Sequence, residues 1–330
     1  LTYRFVEHPI RFGSFKHSDA TIRNLLLTIF TIGIIGAVTW QAKGYPTART
    51  FNTELMRDTE KLDSFRAEQK PCEYAFGKDL NWCITSGKSP TIALYGDSHA
   101  DHLFPGVVND KKNSWLLIGH SSCPPLDGIG VRYLDKADEC VTRNDQILTT
   151  LVSSKIIKTV VLSARGMFYI TNKNLMPNAR GRNDPANYHL ESTHETGTKP
   201  ELYAKGLERT LTRLEQSGKR VILFMDNPEL NFPAIRCIPR PIGLLAPNRA
   251  TACYMPRKQA LAHTAPYREV LTKIAKRHPR VRVYDPTNQL CDESRCYAGN
   301  EEMLLYRDAN HLSQRGAQKV MADFVKWLNK

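Results

Sequence analysis

From Thr91 to the C-terminus, short apolar runs alternate with segments of helical period, and this alternation constrains the fold more than any other feature. The runs are Thr91–Tyr95, Ser114–Ile118, Thr159–Leu162, Arg220–Met225 and Val281–Tyr284. Helical patterns separate them, directly after Ser98 and then around Glu139–Ser154, Pro200–Gln216, Arg257–Arg277 and Gln314–Asn329. Short strands without a polar face are buried on both sides, and the intervening helices supply the cover. The expectation is an α/β domain with a parallel sheet covered on both faces. Residues 166–198 and 227–256 are rich in Pro, Asn and Gly and are expected to be loops over the sheet's carboxyl edge, where α/β sites form.

Upstream, the 19 residues Asn24–Ala42 carry no charge. As a helix they would span roughly 28 Å, close to one bilayer core. Trp40 and Tyr45 stand at the far end, where aromatic side chains suit the interface. Arg4, Arg11, Lys16 and Arg23 precede the run, against Lys43 and Arg49 after it, so the N-terminal side is expected to be cytoplasmic. A transmembrane helix is predicted over 22–42, with a signal peptide as the competing reading. The chain opens on Leu1 rather than Met and is expected to be a fragment or processed product. Residues 43–90 read as a polar linker and extension.

The eight cysteines fall into four local couples: Cys72 and Cys83, Cys123 and Cys140, Cys237 and Cys253, Cys291 and Cys296. No C-x-x-C and no zinc-ligand spacing occurs, so no metal is expected. Disulfides between sequence neighbours, in an oxidising compartment, are the simplest account. With the predicted span, that compartment would be the periplasm. The formal charge of +13 suits an anionic partner such as a membrane surface. Nucleic acid is not expected, because no basic run is interleaved with aromatics and no RNP-like motif is present.

Two short motifs carry chemistry. The first strand ends in Gly96-Asp97-Ser98-His99, which places a serine hydroxyl at the strand's carboxyl end. Asp308-Ala309-Asn310-His311-Leu312-Ser313 contains the chain's only D-x-x-H and lies between the last strand and the last helix. Both belong on one sheet edge. Asp308 could orient His311, whose other ring nitrogen could take the Ser98 proton. His99 and His102 form an H-x-x-H without an evident third ligand. His99 is expected to be structural or to touch substrate, His102 to lie on a helix surface, and Asp97 to stabilise the turn.

GDSH on the first strand and D-x-x-H-L-S before the last helix resemble the SGNH (GDSL-like) hydrolase superfamily over about 91–330. The resemblance implies a three-layer α/β/α SGNH-hydrolase (flavodoxin-like) fold with a parallel five-stranded sheet. It also implies a triad of Ser98, Asp308 and His311. The family usually adds a Gly and an Asn as oxyanion donors, but Arg165 stands where that Asn would be. The candidates are therefore the Ser98 N–H, an N–H of the Ser121–Ser122 loop, and Arg165; one such donor contributes roughly 3–4 kcal/mol. Tyr3-Arg4-Phe5-Val6-Glu7-His8-Pro9-Ile10-Arg11 resembles the Y-R-x-x-E-x-P-x-R tail that closes the acyltransferase-3 membrane domain. Residues 1–18 would be that tail. The fused type, similar to bacterial O-antigen O-acetyltransferases of the OafB type, implies the membrane domain of the same polypeptide as partner and a glycan acceptor. It implies no cofactor bound by this domain, with acetyl-CoA as ultimate donor at the membrane domain, and an inner-membrane location with the catalytic part in the periplasm. Competing readings are an SGNH carbohydrate esterase and a non-catalytic glycan-binding module.

Overall fold

The structure, a computed structural model, describes residues 3–4, 8, 19–41, 53–72, 80–173, 175–176, 184–238 and 253–330. They fall into two units, one ending at residue 51 and one starting at residue 52. The first unit holds helix α1, Asp19–Gln41. Its 19 residues Arg23–Gln41 are long and apolar enough to cross a membrane. Leu26, Ile29, Phe30 and Ile32 are each more than 60% exposed, as expected of a helix whose natural solvent is lipid rather than a protein core. Most of the tail motif at 3–11 and the span's predicted end at Ala42 lie outside the described residues.

The second unit is built on a seven-stranded sheet. In chain order its strands are β1 (Lys70–Pro71), β2 (Trp82–Thr85), β3 (Ile92–Gly96), β4 (Trp115–Gly119), β5 (Thr159–Ser163), β6 (Arg220–Phe224) and β7 (Arg282–Tyr284). The spatial order is β1-β2-β4-β3-β5-β6-β7. The last five members are parallel, as the apolar runs predict. β1 and β2 are an addition: β2 pairs antiparallel with β4. Residues 43–90 are thus not all linker. Trp82, Cys83 and Leu80 are buried there, and a four-residue strand carries too short a pattern to be recognised in the sequence. Leu55 and Leu62 are buried as well, and Asp58 accepts from Arg315 Nε at 2.8 Å and from the Leu304 N–H at 2.7 Å.

The helices that position the site are α2 (Ser98–Asp101), α3 (Cys140–Ser153), α4 (Lys199–Gln216), α5 (Arg257–Arg277) and α6 (Gln314–Leu328). Strand residues alternate between two buried faces. Ala93, Tyr95, Leu116, Ile118, Val160, Leu162, Val221 and Leu223 join one core with Ile147 and Leu151 of α3, Leu207 and Leu211 of α4, and Leu271 and Ile274 of α5. On the other face Phe324 of α6 packs against Trp115, Phe224 and Tyr284 at centroid distances of 6.3, 5.2 and 4.9 Å. This is a three-layer α/β/α architecture, with helices on both faces of the sheet.

The order reverses beside β3: the chain steps from β3 to β4 on one side, then to β5 on the other. A crevice opens where strands diverge in this way, beyond their carboxyl ends. All four cysteine couples are joined as disulfides, Cys72–Cys83, Cys123–Cys140, Cys237–Cys253 and Cys291–Cys296. The Cys123–Cys140 bridge ties the loop after β4 to the start of α3.

Gly96 is required for a close approach rather than for an unusual turn angle. It pairs with Gly119 on one side and Ser163 on the other. A Cβ on Gly96 would lie 1.7 Å from the Ser163 carbonyl oxygen, and one on Gly119 would lie 1.9 Å from the Gly96 oxygen. Gly96→Ala must therefore separate β3 from β5. The expected result is a loss of about 3–5 kcal/mol or failure to fold, read by denaturant unfolding; a loss below about 1 kcal/mol would contradict this packing.

Candidate active site

Asp97 follows β3 in an extended conformation and caps α2, its carboxylate accepting from the His99 N–H at 2.8 Å. The same fully buried carboxylate accepts from the Arg165 N–H at 3.1 Å and from the Tyr169 hydroxyl at 2.9 Å. It joins the ends of β3 and β5 and leaves Ser98 at the rim. Asp97 thus holds the turn, as expected, and reaches further than the turn.

The D-x-x-H segment arrives from the other end of the chain. Asp308 Oδ1 accepts the N–H groups of Asn310 and His311, both at 2.8 Å. The Leu230 N–H donates to the Ala309 carbonyl at 2.7 Å, and Ser313 caps α6 by accepting from the Gly316 N–H at 2.9 Å. This lacing brings Ser98, His311 and Asp308 together. The Ser98 hydroxyl lies 2.9 Å from His311 Nε2, and His311 Nδ1 lies 2.8 Å from Asp308 Oδ2. The geometry suits a hydroxyl donating to the imidazole, with the Nδ1–H donating to the carboxylate.

Electrostatics keep this chain of groups in the form that removes a proton. Burial raises the Asp308 carboxyl, but His311 and the two backbone N–H groups overrule it and leave it well below the usual carboxylate range. Burial lowers the His311 imidazole; Asp308 opposes this, the neighbouring His99 and Arg307 add to it, and the value falls to about 4.

His99 is fully buried, with Nδ1 2.6 Å from Asp226 Oδ1 and Nε2 3.2 Å from Asn310 Oδ1. Its ring centroid is 4.9 Å from that of His311. Burial lowers its pKa, but the Asp226 carboxylate overrules that and raises it. The role is structural, and no open path to substrate is needed for it. His102 does not lie on a helix surface. It is 1% exposed and packs against His99 at 4.7 Å, because it closes α2 three residues after the buried His99 and so shares its inward face. Burial holds its pKa well below the ordinary histidine value. Among the described residues, one cluster, His120, Cys123 and Asp138, has metal-ligand spacing, but its sulfur is engaged with Cys140.

A crevice of about 320 Å³ opens above Ser98 and His311, and the three oxyanion candidates line it. The Ser98 N–H has no hydrogen-bond partner among the described residues, nor does the Ser122 N–H. Ser122 has φ 60°, a strained conformation for a serine that is typical of loops shaped for function. Arg165 is partly engaged. Its N–H serves Asp97, and its guanidinium donates to both Glu229 oxygens at 2.7 and 3.1 Å. The two backbone N–H groups are free donors, and of the Arg165 guanidinium only Nη1 has no hydrogen bond among the described residues. The remaining walls include Lys61, Arg66, Trp82, Tyr188 and Arg307, none of which stood out in the sequence.

The sequence profile of SGNH domains fused to AT3 domains matches residues 67–326. No curated protein matches in sequence. Among solved structures, the periplasmic domain of the lipopolysaccharide acetyltransferase of Salmonella ser. Paratyphi A is 18% identical, with a TM-score of 0.55 over 84% of this chain and 98% of that one. At that identity the likeness is one of fold. A GDSL-like lipase from Bacteroides thetaiotaomicron aligns at 10% identity with a TM-score of 0.36, over 83% of this chain and 97% of that one.

The low pKa of His311 sets an expected pH profile. Only the neutral imidazole can accept the Ser98 proton, so kcat/KM for an acetyl ester should hold steady from neutrality down to about pH 5 and fall below an apparent pKa of about 4. A midpoint near that of a free histidine would show that the buried arrangement around His311 does not govern the base.

Proposed function

The chain belongs to the family of SGNH domains that are fused to AT3 domains, and on that premise we propose that it is the periplasmic catalytic part of a membrane-anchored O-acetyltransferase. Its substrate is a hydroxyl on a cell-surface glycan, with lipopolysaccharide O-antigen as the leading acceptor. The observation that carries this reading is the continuous Ser98–His311–Asp308 hydrogen-bond chain at 2.9 and 2.8 Å, set in an open crevice. The structural likeness to the Salmonella lipopolysaccharide acetyltransferase periplasmic domain supports the same reading.

The chemistry follows from the groups present. The Ser98 oxygen attacks the acetyl carbonyl carbon of the donor while His311 Nε2 takes the hydroxyl proton. The N–H groups of Ser98 and Ser122 receive the developing oxyanion. Collapse expels the donor's leaving group, which takes the proton from His311, and leaves an acetyl ester on Ser98. The glycan hydroxyl then attacks that ester, giving its proton to His311, and the proton returns to Ser98 as the serine leaves. Asp308 stays ionised throughout and balances the transient imidazolium. Helix α1 would anchor the domain at the inner membrane. The AT3 domain of the same polypeptide would supply acetyl groups drawn from acetyl-CoA on the cytoplasmic side.

Water could replace the glycan in the second step, which is the esterase reading. The two separate on product. The protein, given an acetyl ester with and without surface-glycan oligosaccharide, should form acetylated oligosaccharide; free acetate alone under both conditions would reject the transferase. Ser98→Ala should lower turnover of the ester by about three orders of magnitude or more. It should also abolish glycan O-acetylation in cells, and unchanged O-acetylation would leave only a glycan-binding module.

A further inference from the structure

Four cationic side chains line the crevice beside Ser98: Lys61, Arg66, Arg165 and Arg307. Two of them are satisfied from within. Arg66 donates to both oxygens of Asp101 at 3.0 and 2.7 Å, and Arg165 to both oxygens of Glu229. Arg307 differs. Its side chain is only 12% exposed, yet among the described residues its guanidinium makes no hydrogen bond. The carboxylate nearest to it is Asp308, 3.9 Å from Nε and already bound by His311 and two backbone N–H groups.

A guanidinium largely withdrawn from water, with residual crevice solvent in place of protein acceptors, is held at a cost. Burial accordingly pushes Arg307 below the usual arginine range, with Asp308 and Asp101 opposing. The cost is offset when a ligand brings the missing acceptor. The planar fork fits a carboxylate or phosphate in two-point contact. Lys61 adds a second positive charge at the same opening, and the largely buried Trp82 and Tyr188 border it.

We propose that the acceptor glycan is acidic and that Arg307 binds a carboxylate or phosphate carried by the acetylated sugar or its immediate neighbour. This rests on the glycan-acetyltransferase reading and adds the chemical class of its acceptor. Arg307 then sets specificity: it orients the acceptor hydroxyl toward the serine ester and discriminates against neutral glycans.

The test is a binding measurement that does not depend on turnover. Ligand-observed NMR titrations of the full chain in detergent would use methyl β-glucuronide, glucose 6-phosphate and the neutral methyl β-glucoside. At least one of the two anionic sugars should bind about tenfold or more tightly than the neutral one, the scale of one charge-assisted contact. Which anion wins separates carboxylate from phosphate recognition. The preference should fall to near unity in Arg307→Gln and to an intermediate value in Arg307→Lys, which keeps the charge but not the fork. If the glutamine variant does not fold, the lysine variant carries the comparison. Equal binding of all three sugars, or a preference unchanged in the variants, overturns the proposal. Absence of ester turnover in the unsubstituted protein, with the anionic preference present there and lost in Arg307→Gln, would instead count against the catalytic reading alone.

Discussion

The Asp97 carboxylate is held without exposure to water by hydrogen bonds to two backbone N–H groups and a tyrosine hydroxyl, rather than by an ion pair. Each of these donors belongs to a different part of the site: α2, the end of β5, and the helix turn that follows it. Removing the carboxylate would orphan three buried donors at a cost of about 1–3 kcal/mol each. The close contact of Gly96 with Ser163 and Gly119 draws the strand ends together, and Asp97 holds them there. The position of Ser98 at the point where strand order reverses follows from these two constraints.

Around that serine, two histidine–carboxylate pairs stand side by side. His311 with Asp308 faces the crevice, and His99 with Asp226 lies buried beneath it. Asn310 links them, its N–H bound to Asp308 and its side chain to His99. Their opposite pKa directions follow from their partners. His99 is dominated by its carboxylate. His311, buried and beside both His99 and Arg307, stays a neutral acceptor. The inner pair thus supports the outer one mechanically through Asn310 and electrically through proximity.

Much of this was legible in the sequence. The five parallel strands are legible because each carries a short, mostly apolar run between helical segments, and GDSH and D-x-x-H because each adjoins a strand or helix boundary. β1 and β2 are not, since strands of two and four residues carry no readable period. The expectation of a surface His102 fails because it lies three residues after His99, on the same helical face, and that face is buried. Arg165 occupies the register position expected of an oxyanion donor, but its partner Glu229 lies 64 positions away and nothing local announces the pair. Asp226 could have been found: it stands two residues past the end of β6, at the sheet edge where functional groups collect. Lys61 and Arg66 could not, because their place on the crevice depends on long-range packing of the segment before the sheet, whereas Arg307 directly precedes Asp308 and travels with the D-x-x-H segment.

The central claim is that Ser98 carries the acyl group. Intact-mass analysis of the protein quenched in acid after brief exposure to an activated acetyl ester, followed by peptide mapping, tests it most directly. The account predicts a mass increase of one acetyl group, located on Ser98, that disappears on addition of an acceptor sugar. Turnover of the ester with no acetylated protein at any quench time, or acetylation confined to another residue, would contradict it.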